Sequence, residues 1–181
     1  MTDSVTAEQA PNELPALQHS TMDVELIMDS YRVSGELQSV GVPRRLVDFL
    51  NSVDGNFIII HGGDLDDPLV EDEPRHFEQI QVHMNTLLLA IPRSASQVHP
   101  DAFEIIQKVP VPTTIAVPGF EITGNVFLMP QIDPAGSQLL GSRHFVPVTD
   151  ATVASATNHE CVWHEPAVVV NLARALVFAP R

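Results

Sequence analysis

Between Val24 and Leu37 apolar and polar residues alternate. Val24, Leu26 and Met28 fall on one side of an extended chain, with Glu25 and Asp29 on the other. Tyr31, Val33, Gly35 and Leu37 then share a face opposite Arg32, Ser34 and Glu36. Successive side chains of a strand leave the backbone on opposite sides, so a period of two predicts two half-buried strands, joined tightly near Asp29 and Ser30. "RRLVDFLNS" follows as a short mixed stretch ending in the turn formers Asn51, Ser52, Asp54 and Gly55. "NFIIIHGGDL" predicts a third strand with a continuous apolar run from Phe57 to Ile60. After the acidic loop "GGDLDDPLVEDEPR", the segment "FEQIQVHMNTLLLAIPR" is too long for one strand of a small domain and predicts two, meeting near Asn85.

The same grammar returns. In "TTIAVPGFEITGNVFLM", Phe120, Ile122, Gly124 and Val126 answer Tyr31, Val33, Gly35 and Leu37 at an offset of 89, with the glycine in register. "HFVPVTDATV" answers "NFIIIHGGDL" at an offset of 88. "VVVNLARALVFAPR" answers "IQVHMNTLLLAIPR" at that same offset, with Ile80 on Val168, Val82 on Val170, Met84 on Leu172 and Leu89 on Val177. Recurrence of this kind is the mark of an internal duplication. It divides the chain into an N-terminal arm (1–21), a first repeat (22–93), a linker (94–110) and a second repeat (111–181). In the linker, Pro100 and Asp101 open a short helix that Pro110 and Pro112 stop. Pro147, lacking a backbone donor, argues for a strand edge or a bulge.

"VELIMDSYRVSGEL", "LVDFLN" and "VHMNTLLLAIP" resemble the Sm-like family of small β-barrels, in which a short helix precedes five bent strands with a glycine in the second. SH3-like barrels share the pattern, and "VSGELQS" with "RLVDFLN" is also similar to an uncharacterised bacterial domain family that brings no function with it. The glycine has a reason independent of family, since a missing Cβ lets neighbouring backbones close up where a small barrel bends. The resemblance implies a mainly β fold of two tandem five-stranded barrels, each preceded by a short helix or arm. It also implies ring assembly and binding of uridine-rich RNA, through an Asp and an Asn around a Met after strand two and an Arg-Gly between strands four and five. Asp48 and Asn51 stand near the first place at a shorter spacing, and neither "HMNT" nor "NLAR" contains Arg-Gly. The fold carries over; the RNA activity does not.

Charge bears on partners. The chain has 23 acidic and 9 basic residues among 181, a net charge of −14. The acids concentrate in the first half, and such a surface repels phosphate backbones, whose binding rests on basic contacts. Nucleic acid is therefore disfavoured. The absence of a long apolar run or a signal-like start predicts a cytoplasmic protein without a membrane span, and the single Cys161 permits no internal disulfide.

Two clusters hold metal-ligand chemistry. Asp64, Asp66, Asp67, Glu71, Asp72 and Glu73 offer the oxygens a hard cation needs, but without the regular spacing and central glycine of a calcium loop, so a solvated acidic loop is the ordinary reading. His159, Cys161 and His164 are zinc-ligand types, yet strand alternation puts His164 on the face opposite the other two, and no fourth ligand follows. No nucleophile motif or phosphate loop occurs, so no catalytic residue and no cofactor is expected. Apolar terminal strands remain: Leu87, Leu89 and Ile91 in the first repeat, Leu176 and Phe178 in the second. An open barrel leaves such strands as pairing templates. The expectation is a non-enzymatic interaction or assembly module, a homo-oligomer or a binder of another protein. The alternative is a small-ligand or metal sensor using one of the two clusters.

Overall fold

The structure is a computed structural model describing residues 19–40, 45–67, 73–94, 108–130, 144–158 and 160–181. Its strands are β1 (His19–Ile27), β2 (Arg32–Val40), β3 (Phe57–Asp66), β4 (Arg75–His83), β5 (Leu89–Pro92), β6 (Val109–Val117), β7 (Phe120–Leu128), β8 (Phe145–Ser155), β9 (Val162–Asn171) and β10 (Val177–Pro180). Among the described residues one α-helix, α1 (Leu46–Ser52), lies between β2 and β3. The long segments ending each half break at a single 3-10 turn, Met84–Thr86 or Leu172–Arg174. In both, the residue before the turn, His83 or Asn171, accepts a hydrogen bond from the backbone N–H two residues on, which ends the strand and starts the next.

The ten strands form one antiparallel sheet in the order β10-β6-β7-β8-β9-β5-β1-β2-β3-β4. Within it the first half runs β5-β1-β2-β3-β4 and the second β10-β6-β7-β8-β9, so both halves share one strand order. They share irregularities too. The β2–β3 register slips between Ser34 and Glu36, and the β7–β8 register slips between Thr123 and Asn125, their counterparts. The bulge residue has positive φ in each, Gly62 at 55° and Asp150 at 49°. Opposite the bulge sits the recurring glycine. A Cβ on Gly124 would lie 2.6 Å from the Thr149 carbonyl oxygen and 2.6 Å from Val148 Cγ1, and one on Gly35 would lie 2.6 Å from Ile60 Cγ2. Neighbouring strands approach closely there, and only glycine leaves room.

Two apolar clusters form the core, and each borrows from the other half. The first-half cluster, around Val24, Leu26, Val33, Ile58 and Ile60, takes in Phe145 and Val169. The second, around Ile115, Ile122, Val148 and Val153, takes in Ile27, Leu88, Leu89 and Ile91. The halves therefore do not stand as separate bodies; the sheet runs through both.

Several expectations are corrected. Tyr31 does not share the buried face of Val33 and Leu37; it lies in the β1–β2 turn and is exposed. The apolar run of β3 alternates in burial, with Ile58 and Ile60 inside and Phe57 and Ile59 outside. "LVDFLNS" is helical and sits between strands two and three. Pro147 is not on an edge strand, since β8 pairs on both sides, but the β7 ladder ends at Asn125 opposite Thr149, before the proline. Residues 1–18 of the arm and most of the linker, where the preceding helices were expected, lie outside the described residues, while residues 19–21 of the expected arm belong to β1 and residues 109–110 of the expected linker to β6.

Candidate functional site

The two halves meet where β5 pairs with β9, Leu89 opposite Val170 and Ala90 opposite Val169. Polar groups at both ends hold this junction. Asn171 is buried; its backbone N–H donates to the Leu88 carbonyl at 3.0 Å and its amide donates to the carbonyls of Leu87 at 2.8 Å and Met84 at 3.4 Å. Asn51, at the end of α1, pairs with the backbone of Phe145 in both directions, donating to its carbonyl at 2.9 Å and accepting from its N–H at 3.1 Å. Leu46, Val47 and Leu50 of α1 pack in the same cluster as Phe145 and Val169, so the helix packs against the junction.

Charges tie the exposed side. Arg93 donates to Glu165 at 2.9 Å and to Glu25 at 2.7 and 2.9 Å, and Arg174 donates to Asp29 at 3.0 Å and to the Asn85 carbonyl at 3.1 Å. Arg32 forks onto Asp66 at 2.6 and 2.9 Å and lies 3.8 Å from Glu25. An ion-pair chain thus runs Asp66, Arg32, Glu25, Arg93, Glu165 across five neighbouring strands, from β3 to β9, with Arg93 just past the end of β5. Hydrogen bonding to Asp66 raises the Arg32 pKa against the opposing effect of burial. Burial pulls the Arg93 pKa down, but hydrogen bonds and attraction from Glu25 and Glu165 outweigh it and leave it raised. Both guanidiniums stay charged at any physiological pH.

β4 and β10 close the sheet with no further strand beside them among the described residues. By the repeat, β4 is the counterpart of β9 and β10 the counterpart of β5, so each outer edge matches one face of the internal junction. Their burial differs accordingly. Leu88 and Leu89 are 0% exposed, whereas their counterparts Leu176 and Val177 are 71% and 52% exposed. Phe145 is 4% exposed beneath α1, whereas its counterpart Phe57 is 53% exposed. Phe57 stacks edge-on against His83 with ring centroids 4.7 Å apart, at the end of β4.

The predicted interface residues divide between these environments. Leu87, Leu89 and Ile91 are fully buried, and Leu89 is paired into the internal junction. Leu176 is exposed, and Phe178 is half-buried against the second core. The metal candidates do not assemble among the described residues, where no group of three or more His, Cys, Asp or Glu side chains converges. Asp64 pairs with His76 at 2.8 Å, Asp66 is engaged by Arg32, and Glu73 is exposed. His164 pairs with Thr152 at 2.9 Å, and Cys161 is a half-buried free thiol. Asp67 is described but joins no such group, while Glu71, Asp72 and His159 lie outside the described residues. No described helix is long and apolar enough to cross a membrane.

Asn51, Asn171, Arg93 and Arg174 were not singled out as junction residues by sequence. For Asn171 a signal exists, because the repeat sets it against His83, a polar residue replaced by another at a strand end. No protein-family model, curated protein or solved structure matches the chain.

Proposed function

We propose that the protein is a non-enzymatic, cytoplasmic interaction and assembly module, built from a duplicated small β-barrel of Sm-like or SH3-like type, whose outer strands β4 and β10 make its contacts. The observation that carries this reading is the contrast between Leu88 and Leu89, buried at the internal junction, and Leu176 and Val177, exposed at the matching positions of the other half. Large apolar side chains beside unpaired backbone groups form a template for strand addition. The acidic surface, −14 overall, turns away polyanions, which favours a protein over a nucleic acid as partner.

Light scattering across a wide concentration range, combined with affinity capture on the native chain and on a Val177→Asp variant, tests the reading. Association with itself or with one defined protein, weakened by the variant, is expected. A strictly monomeric chain that captures nothing in an edge-dependent way refutes it.

A further inference from the structure

We infer that the occupant of both outer edges is a second copy of this chain, added head to tail, so that β10 of one molecule pairs with β4 of the next by the rule that pairs β5 with β9 inside each molecule. The inference rests on the assembly reading above and names its partner. The repeat supplies the register. Leu89 opposite Val170 becomes Val177 opposite Val82, and Ala90 opposite Val169 becomes Phe178 opposite Gln81. The N–H of His83, in the place of Asn171, then faces the carbonyl of Leu176, in the place of Leu88.

Two features fit this occupant. Both edges are antiparallel partners of the type already joined once in the same sheet, so no new backbone geometry is required. Leu88, Leu89 and Phe145, buried at the internal junction, have exposed counterparts in Leu176 just before β10, Val177 on β10 and Phe57 on β3 beside β4, while Val82 of β4, like its counterpart Val170, is already buried. The two edges differ from one another, so the contact is heterologous; repeated, it gives a closed ring if the rotation per molecule closes and a filament if it does not.

The contact between molecules is weaker than the one within them, because its polar clasp is thinner. Where Arg93 reaches Glu165, the counterparts are Arg181 and Phe77, which offer a guanidinium and an aromatic ring. Where Arg174 reaches Asp29, the counterparts are Thr86 and Pro118, which offer no charge. The like charge of the two molecules adds repulsion that salt screens. The association is therefore reversible, concentration-dependent and strengthened by moderate salt.

Cysteine pairing reads the register. In a Cys161→Ser background, chains carrying only Gln81→Cys are mixed with chains carrying only Phe178→Cys and oxidised mildly with oxidised glutathione. The same is done with His83→Cys and Leu176→Cys, a pair that spares the partly buried Phe178. Covalent dimers are expected from each mixture and not from any variant alone, and Val177→Asp should weaken association roughly 100-fold by removing apolar burial and adding an unpaired charge. Dimers formed by one variant alone would show an edge pairing with its own kind and overturn the inference while leaving the assembly reading intact. A monomer that captures a different protein in an edge-dependent way has the same consequence. A monomer that captures nothing removes both.

Discussion

Asn171 holds the two halves together through groups that water cannot reach, and its replacement by Ala gives a quantitative test. The side chain is buried, donates to the Leu87 and Met84 carbonyls and accepts from the Ala173 N–H at 3.0 Å. In the Ala variant the Leu87 carbonyl and the Ala173 N–H lose these partners. A buried polar group stripped of its partner costs roughly 1–3 kcal/mol, which applies to the Leu87 carbonyl, and the part-buried Ala173 N–H, which water can reach, adds about 1 kcal/mol, so the two together predict a loss of about 2–4 kcal/mol. For a chain of this size that lowers the midpoint of thermal unfolding by roughly 5–15 °C. Urea unfolding at a concentration where the chain is monomeric measures the loss directly, with an unchanged slope expected. Asn171→Asp sharpens the test. It keeps the acceptor but aims a carboxylate oxygen at two carbonyls, so its folded-state pKa rises above the unfolded value near 3.9. A raised carboxyl pKa means that the variant is penalised at neutral pH and regains stability as pH falls, when the protonated group can donate again. An Ala variant within about 0.5 kcal/mol of the native protein would refute the role assigned to this side chain.

Leu89→Ala should cost roughly 2–5 kcal/mol, while Val177→Ala, its counterpart on the outer edge, should stay within about 1 kcal/mol in dilute solution; chemical denaturation compares them, and equal losses would contradict the assignment of inner and outer edges. Gly124→Ala should destabilise by about 1–3 kcal/mol or prevent folding, since its Cβ would meet a backbone oxygen at 2.6 Å, and a neutral result in thermal melts would show that the β7–β8 contact is looser than described. Arg93→Ala should cost about 1 kcal/mol or less, with the loss constant between pH 6 and 9 because the guanidinium does not titrate there; a loss confined to one end of that range would point to another group.

The strands were legible because alternation survives in a sheet with one buried face: Val24 and Leu26 in β1, Val33 and Leu37 in β2, Ile122 and Val126 in β7 are all buried. The repeat was legible for the same reason, and its glycine because a close approach of backbones tolerates nothing larger at Gly35 and Gly124. Burial across the junction was less legible. Leu89 and Val177 read alike, and only pairing with β9 makes one interior and the other exposed. The junction's polar clasp was hidden for a related reason. Asn171 lies 84 residues from Leu87 along the chain and Asn51 lies 94 residues from Phe145, distances at which no local pattern reports a contact. The acidic loop and the histidine-cysteine stretch suggested ligand sets because residue types cluster in sequence, but strand pairing commits Asp66 to Arg32 and His164 to Thr152.

The account depends on β5 crossing from the first half to pair with β9 of the second. Backbone nuclear Overhauser effects measured at a concentration where the chain is monomeric test this most directly. Contacts between Leu89 and Val170 and between Ala90 and Val169, with the Asn171 amide slow to exchange, are the predicted result. Contacts joining β5 to β4 within the first half, closing it as a separate cylinder, would contradict it.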